Sequence, residues 1–415
     1  MRILMLTQFY HPLLGGLEQH VRTLSTELVS RGHDVVVATI QHAGQPAFEV
    51  DHGVRVYRIR STMQLLPWLF SDTKRQYSPP FPDPESLLEL RKIILKERPQ
   101  IVHAHNWLLR SFLPLKAWSK ARLVVTLHNY HLTCARVDLT YRGKACSGPG
   151  FIKCLDCSTR HYGFLQGPPT ALSNWMMDLI ERTSVDMFLA VSQAVASGNN
   201  LVNSRWPFRI IPNFIAETPC TPSDDFSSYL TQLPAQNYLL FVGALARVKG
   251  VEVLLRAYAE LTNAPPLVLI GYQSPDWQQL APACPQNVFI LKNWPHDAVM
   301  QAWKRSSIAL VPSIWHEPCP TVAMEAMSMG KPVIATRMGG LTDIVADGET
   351  GVLVPPNNPQ ALRDAIQSLL DAPQQQELMG NKAKQRIVMF QAKSVVPRIE
   401  QVYCDILHKP LLLEH

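Results

Sequence analysis

The sequence lacks any run of the roughly 18 to 20 apolar residues that a helix needs to cross a bilayer. Its first apolar stretch, Ile3 to Leu6, is broken at once by Thr7 and Gln8. That is too short for the core of a secretion signal, so the expectation is a buried first strand in a cytoplasmic protein. Charge is also sparse, with 17% charged residues and a net charge of +6 over 415 residues. Such an excess favours anionic partners such as phosphates or a lipid surface and is too weak to imply nucleic acid. The glycine pattern GxGxxG of dinucleotide-binding folds is absent as well.

What is present is apolar content, at 47% hydrophobic residues, enough for two domains of about 200 residues each. Near-continuous apolar runs recur at Arg2–Thr7, Asp34–Ile40, Ile101–Ala104, Leu123–Leu127 and Met187–Val191. Between them lie helix-like stretches such as Leu17–Arg31, which Gly32 ends. This alternation predicts a doubly wound α/β domain with a parallel sheet over residues 1–212. A polar, proline-bearing linker is expected over 213–236. The pattern restarts at Tyr238–Val242 and continues through Leu267–Ile270, Val288–Leu291, Ile308–Val311, Pro332–Ala335 and Gly351–Val354. A second α/β domain over 237–393 follows, with helices at Val251–Leu261, Thr321–Ser328 and Pro359–Leu370. A last amphipathic helix, within about 394–415, is expected to return to the first domain.

Two segments break the rhythm. Ser61–Pro84 joins Leu65, Leu66, Trp68, Leu69 and Phe70 to a proline run. It reads either as a loop packed by its own aromatics or as a membrane-surface or acceptor-binding lip, where Arg58, Arg60, Lys74 and Arg75 meet anionic lipid. Four of the eight cysteines, Cys134, Cys146, Cys154 and Cys157, crowd together. The closing Cys-x-x-Cys suits half of a structural zinc site; free or partly paired thiols in a long loop are the alternative.

The densest chemistry follows the run Ile308–Val311, in Trp315-His316-Glu317-Pro318-Cys319-Pro320-Thr321, with Glu325 beyond. Ligands of open parallel sheets bind at the carboxyl ends of strands. Pro320 is suited to open a helix, so the amides from Cys319 to Val322 would face an anion. Glu317 at the helix mouth suits sugar hydroxyls. Glu325, on a polar face with Thr321 and Ser328, suits a ribose diol. The structural alternative is a dipole-complementing acid and a solvated one. Gly15 and Gly16, between strand and helix, permit close backbone approach to a diphosphate; otherwise they are a tight turn. Lys249 stands before a helix, where the dipole repels a cation, which points to an anionic partner. His103 and His105 share one face of their strand by alternation and can both line a cleft. They suit a hydrogen-bonded structural role equally well.

Two glutamates seven residues apart, with proline after the first, resemble the signature of the retaining glycosyltransferases of family four, which have the GT-B fold of two Rossmann-like domains facing a cleft. Gly15-Gly16-Leu17-Glu18, Ala190-Val191-Ser192, Ile211-Pro212-Asn213, the segment Phe241 to Gly250, Gly339-Gly340 and Asp347 to Gly351 are similar to its other motifs in order. The resemblance implies transfer of a sugar from a nucleotide-diphosphate donor, UDP- or GDP-linked, to a hydroxyl of a carbohydrate or lipid-linked acceptor. It implies Lys249, Arg247, Gly243 and the Cys319-Pro320-Thr321 helix end at the diphosphate. His128 would lie beside the transferred sugar, and Asn213 and Arg337 are further cleft candidates. The position after Gly243, usually arginine, is Ala244, so Arg247 or Arg337 would have to supply the missing cation. With no Asp-x-Asp motif in a suitable loop, no catalytic cofactor is expected. Polysaccharide, glycolipid or lipid-linked oligosaccharide assembly at the inner face of the plasma membrane is the implied setting. Alternatives are a GT-B glycosyl phosphorylase, an epimerase, or a non-catalytic sugar-nucleotide-binding relative.

Overall fold

The computed structural model describes residues 1–13, 15–66, 68, 77–217, 226–235, 237–280 and 284–408. Leu69, Phe70, Lys74 and Arg75 of the aromatic segment, and much of the expected linker, lie outside the described residues. The chain forms two compact units, one of Met1–Pro212 with the chain from Ala392, the other Asn213–Gln391.

The first unit holds β1 (Arg2–Leu6), β2 (Asp34–Ile40), β3 (Phe48–Asp51), β4 (Val54–Ile59), β5 (Ile101–Ala104) and β6 (Arg122–Leu127). A small hairpin of β7 (Thr140–Tyr141) and β8 (Lys144–Ala145) follows, then β9 (Met187–Ala190) and β10 (Phe208–Ile210). The main sheet runs β10-β9-β6-β5-β1-β2-β4-β3, parallel except where β3 pairs antiparallel with β4. The aliphatic side chains of β1, β5 and β6 are almost wholly buried, as expected where both faces of a sheet are covered. The helix Ala392–His408 belongs to this unit. Its Glu400 binds Arg31 and His33, each at 2.8 Å, and its Tyr403 bonds His103 at 2.6 Å.

The second unit holds β11 (Leu239–Val242), β12 (Leu267–Ile270), β13 (Val288–Leu291), β14 (Ile308–Val311), β15 (Val333–Thr336) and β16 (Gly351–Val354), ordered β13-β12-β11-β14-β15-β16 and parallel throughout. This is the doubly wound order in which the chain reverses direction beside the first strand. The crevice beyond the carboxyl ends of β11 and β14 is therefore its natural ligand site. Leu254, Leu267, Leu269, Ile308, Ile334 and Ile366 are fully buried in one core, each contributing about 1.5–3 kcal/mol by removal from water.

Three elements differ from the sequence expectation. The β3–β4 hairpin was not anticipated. The region after Cys146 is a helical hairpin, Phe151–Ser184, broken only at Gly163 (φ 82, ψ 173). Arg58 does not reach solvent: it is 5% exposed, pairs with Glu49 and donates to the carbonyls of Pro46 and His11. Its strand position turns it inward, so it meets no lipid. Arg60 is exposed and pairs with Glu85 at 3.1 Å.

Candidate active site

In the second unit the loops after β11 and β14 meet. Val242 leads to Gly243, then through a 3-10 turn, Arg247–Lys249, to Gly250 and the helix Val251–Ala259. Gly250 has φ +76, and a Cβ there would lie 1.8 Å from the Pro312 carbonyl oxygen. Only glycine lets the two loops approach this closely. The amide of Ile314 bonds the Val248 carbonyl at 3.0 Å.

Lys249 Nζ donates to Glu317 Oε1 at 2.5 Å and stands 5.3 Å from the centre of the Trp315 ring. The Ser313 hydroxyl donates to the same carboxylate oxygen at 2.8 Å. Glu317 is 4% exposed, and burying a carboxylate is costly unless it is paired and hydrogen-bonded, as it is here. Its backbone is clamped too, since Gly340 donates its amide to the Glu317 carbonyl at 2.7 Å. Gly339, at φ +56, leaves room for that contact.

The helix Thr321–Ser328 begins four residues after Glu317, with Pro320 as its cap rather than its first residue and no side-chain capping bond. Its first turn thus directs amides and the positive end of its dipole outward. Asn213 Nδ2 donates to the Cys319 carbonyl at 3.0 Å and steadies this entrance. Cys319 is buried, which pushes its thiol up to about 12; its backbone, not a thiolate, is what the site can use. Ala323, Met324, Ala326 and Met327 are buried, while Glu325 keeps its side chain on the other face. There His296 Nε2 lies 3.3 Å from Glu325 Oε1, and this hydrogen bond holds the His296 imidazolium above its usual range. Sequence reasoning missed His296 and Ser313 and assigned no role to Trp315. His296 opens a helix 29 residues earlier, and no spacing rule ties it to Glu325.

The other cations are engaged elsewhere. Arg247 is exposed and pairs with Glu252 at 3.0 Å, while Arg337 pairs with Asp347 at 2.5 Å. Lys249 alone of the three contacts Glu317. Gly243 sits at φ +149, with its carbonyl 1.7 Å from where a Cβ on Gly271 would lie.

In the first unit the equivalent crevice lies beyond β1 and β5. Gly15 caps the helix Gly16–Ser30 in extended backbone, and a Cβ there would strike the Glu18 carboxylate at 2.1 Å. His20, one turn beyond Gly16, follows β1; His105 follows β5; His128 follows β6. The His20 ring is centred 4.8 Å from that of His128, and His105 Nδ1 lies 3.0 Å from His128 Nε2. His20 went unnoticed in the sequence, although its spacing from Gly16 places it on the same helix face. Burial, reinforced by neighbouring imidazoles, holds His20 and His105 neutral, with values well below the usual range. His103 is fully buried, with Nδ1 on Tyr403 and Nε2 on Thr126, both at 2.6 Å. Burial pushes it down to about 3. It braces the sheet and lines no surface.

His20, His105 and His128 are the group among the described residues whose potential ligand atoms all lie within 4.8 Å of one another. Cys134, Cys146, Cys154 and Cys157 line one small cavity with Thr140 and Arg136 and are unpaired thiols. Their sulfurs are not drawn to that spacing.

Paired doubly wound sheets, each with chemistry-bearing loops at its reversal point, place the chain among enzymes built on two Rossmann-like units. A family model described as Glycosyltransferase Family 4 matches residues 14–217, and one described as Glycosyl transferases group 1 matches residues 230–386. The chain belongs to this glycosyltransferase family. A glycogen synthase of Mycobacterium tuberculosis is 27% identical over 97% of the chain and 94% of its own length. A D-inositol 3-phosphate glycosyltransferase of Corynebacterium diphtheriae is 34% identical over 40% of the chain and 42% of its own length. Among solved structures, sucrose-phosphate synthase of Thermosynechococcus elongatus is similar at a TM-score of 0.74 and 20% identity, covering 97% of this chain and 98% of its own. HepE of Anabaena, in complex with UDP and glucose, reaches 0.70 and 18%, covering 98% and 100%. These likenesses describe a GT-B fold.

Proposed function

We propose that the chain is a retaining, metal-independent glycosyltransferase that moves a sugar from a UDP- or GDP-linked donor to a hydroxyl of a carbohydrate or lipid-linked acceptor at a membrane surface. One observation carries the reading: Lys249 and Glu317, from separate loops, meet beside the open amino-terminus of the Thr321–Ser328 helix. The lysine and the helix amides are placed to neutralise charge developing on a departing diphosphate. Glu317, already held in position by Lys249 and Ser313, can exchange its lysine bond for sugar hydroxyls. Glu325, one and a half turns deeper, suits the ribose diol. The UDP bound by HepE supports a uridine donor.

With Ala244 in place of the usual arginine, Lys249 is the principal cation of this clamp. The leaving phosphate would take the acceptor's proton, so no protein base is required. His128, in the first unit, is proposed to contact the transferred sugar. The four cysteines are proposed to hold a structural zinc, a metal suited to four soft thiolates, whose binding would draw the sulfurs inward from their positions around the shared cavity.

The test is a coupled assay for nucleotide-diphosphate release from candidate sugar donors, with the product's anomeric configuration read by NMR. Acceptor-dependent release with retained configuration is expected. An inverted product would overturn the mechanism, and release driven by orthophosphate alone would make the enzyme a phosphorylase.

A further inference from the structure

The helical hairpin Phe151–Ser184 is amphipathic in the wrong sense for a surface helix. A surface helix normally turns its apolar stripe inward. Here the inward face carries Thr170, Asn174, Glu181 and Arg182 beside only two apolar side chains, Ala171 and Met177, all buried. Arg110 donates to Glu181 at 2.5 Å, with both side chains wholly buried, and to Asn174 at 2.8 Å. His131 stands 3.4 Å from the other Glu181 oxygen. Burial raises the Glu181 acid, but the Arg110 charge and His131 outweigh it, so the carboxyl sits below its usual range.

The outward face is apolar. Leu172, Trp175, Met176, Leu179 and Ile180 recur at helical spacing, and all are exposed, Trp175 by 68%. Phe164 and Leu165 at the bend, and Phe151 and Ile152 at the start, extend the stripe, with Ile152 82% and Phe164 83% exposed. The Phe151 and Trp175 rings, 6.1 Å apart, join the two arms. Since the polar network locks the helix in this rotation, the exposed stripe cannot roll inward. Exposed apolar surface gathered in this way marks an interaction site.

We propose that this hairpin lies in the headgroup region of an anionic lipid bilayer. Two observations favour a bilayer over a second copy of the chain, and a third sets the orientation of the stripe. The stripe mixes aliphatic side chains with Trp and Phe, the composition of interfacial helices. Residues 136–160, which form the neighbouring hairpin and the start of the helix, carry five basic residues (Arg136, Arg142, Lys144, Lys153, Arg160) against two acidic ones (Asp138, Asp156). Tyr141 and Arg142 tie that basic rim to the helix through Asp156, at 2.9 and 3.2 Å. Anionic headgroups complement such a rim, whereas an equal rim on a second copy repels it. Finally, the run Phe164–Ile180 measures about 25 Å at 1.5 Å per residue. No helix among the described residues is long and apolar enough to cross a membrane, so the stripe lies in the plane of the surface.

This rests on the membrane contact in the proposed function and names the surface that makes it. The full chain is sedimented with vesicles of phosphatidylcholine alone and of phosphatidylcholine and phosphatidylglycerol in equal parts. Nucleotide-diphosphate binding is measured in parallel. Binding to the mixed vesicles is expected, weakening with salt. It should fall by about tenfold or more both in Trp175→Glu/Leu179→Glu and in Lys153→Glu/Arg160→Glu, through loss of apolar insertion and of electrostatic attraction respectively. Nucleotide binding should be unchanged in both, which shows them folded. No vesicle binding by a wild type that binds nucleotide overturns the proposal, as does vesicle binding unaffected by either variant. A dimer in analytical ultracentrifugation that Trp175→Glu/Leu179→Glu dissolves assigns the face to a second copy instead. If vesicles bind as stated but no nucleotide does, the surface stands and the donor assignment falls.

Discussion

Replacing Gly339 with alanine should disable the site from behind. At φ +56, a Cβ would lie 2.2 Å from the Glu317 carbonyl oxygen and 2.7 Å from its amide nitrogen. Real Cβ contacts essentially never fall below 3.0 Å, so the two backbone segments must part by about 0.8 Å. Neither can yield by side-chain rotation, and the hydrogen bond that the Gly340 amide donates to the Glu317 carbonyl goes with the shift. The left-handed conformation costs alanine about 1–2 kcal/mol, and the displaced backbone brings the loss of stability to at least about 2 kcal/mol. Glu317 would then be misplaced by nearly 1 Å against Lys249 and the helix end, an error that costs about 100-fold in rate. Gly339→Ala should therefore lower Tm in a thermal melt and reduce kcat/KM by about two orders of magnitude in the release assay. A variant with wild-type Tm and turnover within a factor of two would show that the Gly339 turn does not position Glu317.

Lys249→Ala and Glu317→Ala should each abolish transfer while leaving the circular dichroism spectrum unchanged; near-normal turnover in both would mean the site is misassigned. Stability should depend on pH through the first unit's histidines. His103, His20 and His105 are held below the ordinary value of about 6.5, so the unfolded chain binds protons that the fold refuses. Their contribution is complete above about pH 6.5 and is lost progressively as pH falls toward 3. The urea midpoint should accordingly drop between about pH 7.5 and 5.5, and His103→Gln should flatten that slope. Purified protein should contain zinc, and Cys154→Ser should lose it; metal-free wild type would dispose of the cysteine proposal.

Much of this was legible in the sequence, for definite reasons. Strands such as Leu239–Val242 and Ile308–Val311 are continuous apolar runs because helices cover both sheet faces. Glu317 and Lys249 stand just past such runs, where doubly wound sheets bind ligands. The Gly250 and Gly339 turns sit where backbone meets backbone, and glycine is the visible trace of that. What escaped notice depends on tertiary partners. His296 meets Glu325 only through helix packing, and His103 is occupied by Tyr403 from the far end of the chain. The Phe151–Ser184 hairpin was hidden by Gly163 and Pro168-Pro169 and by its inverted pattern. Leu172, Trp175, Met176 and Leu179 have the spacing of a buried face, and only the Arg110–Glu181 network shows that they point outward.

On the proposed reading, the second unit grips a nucleoside diphosphate through Lys249 and the Thr321–Ser328 helix end, with Glu325 on the ribose. Thermal melts titrated with UDP, GDP and ADP test it most directly, since a ligand at 100 times its Kd stabilises the fold by about 2.7 kcal/mol. One of the three should raise Tm in the wild type, less in Glu325→Gln and not at all in Lys249→Ala. An equal shift in all three proteins, or none with any nucleotide, would contradict it.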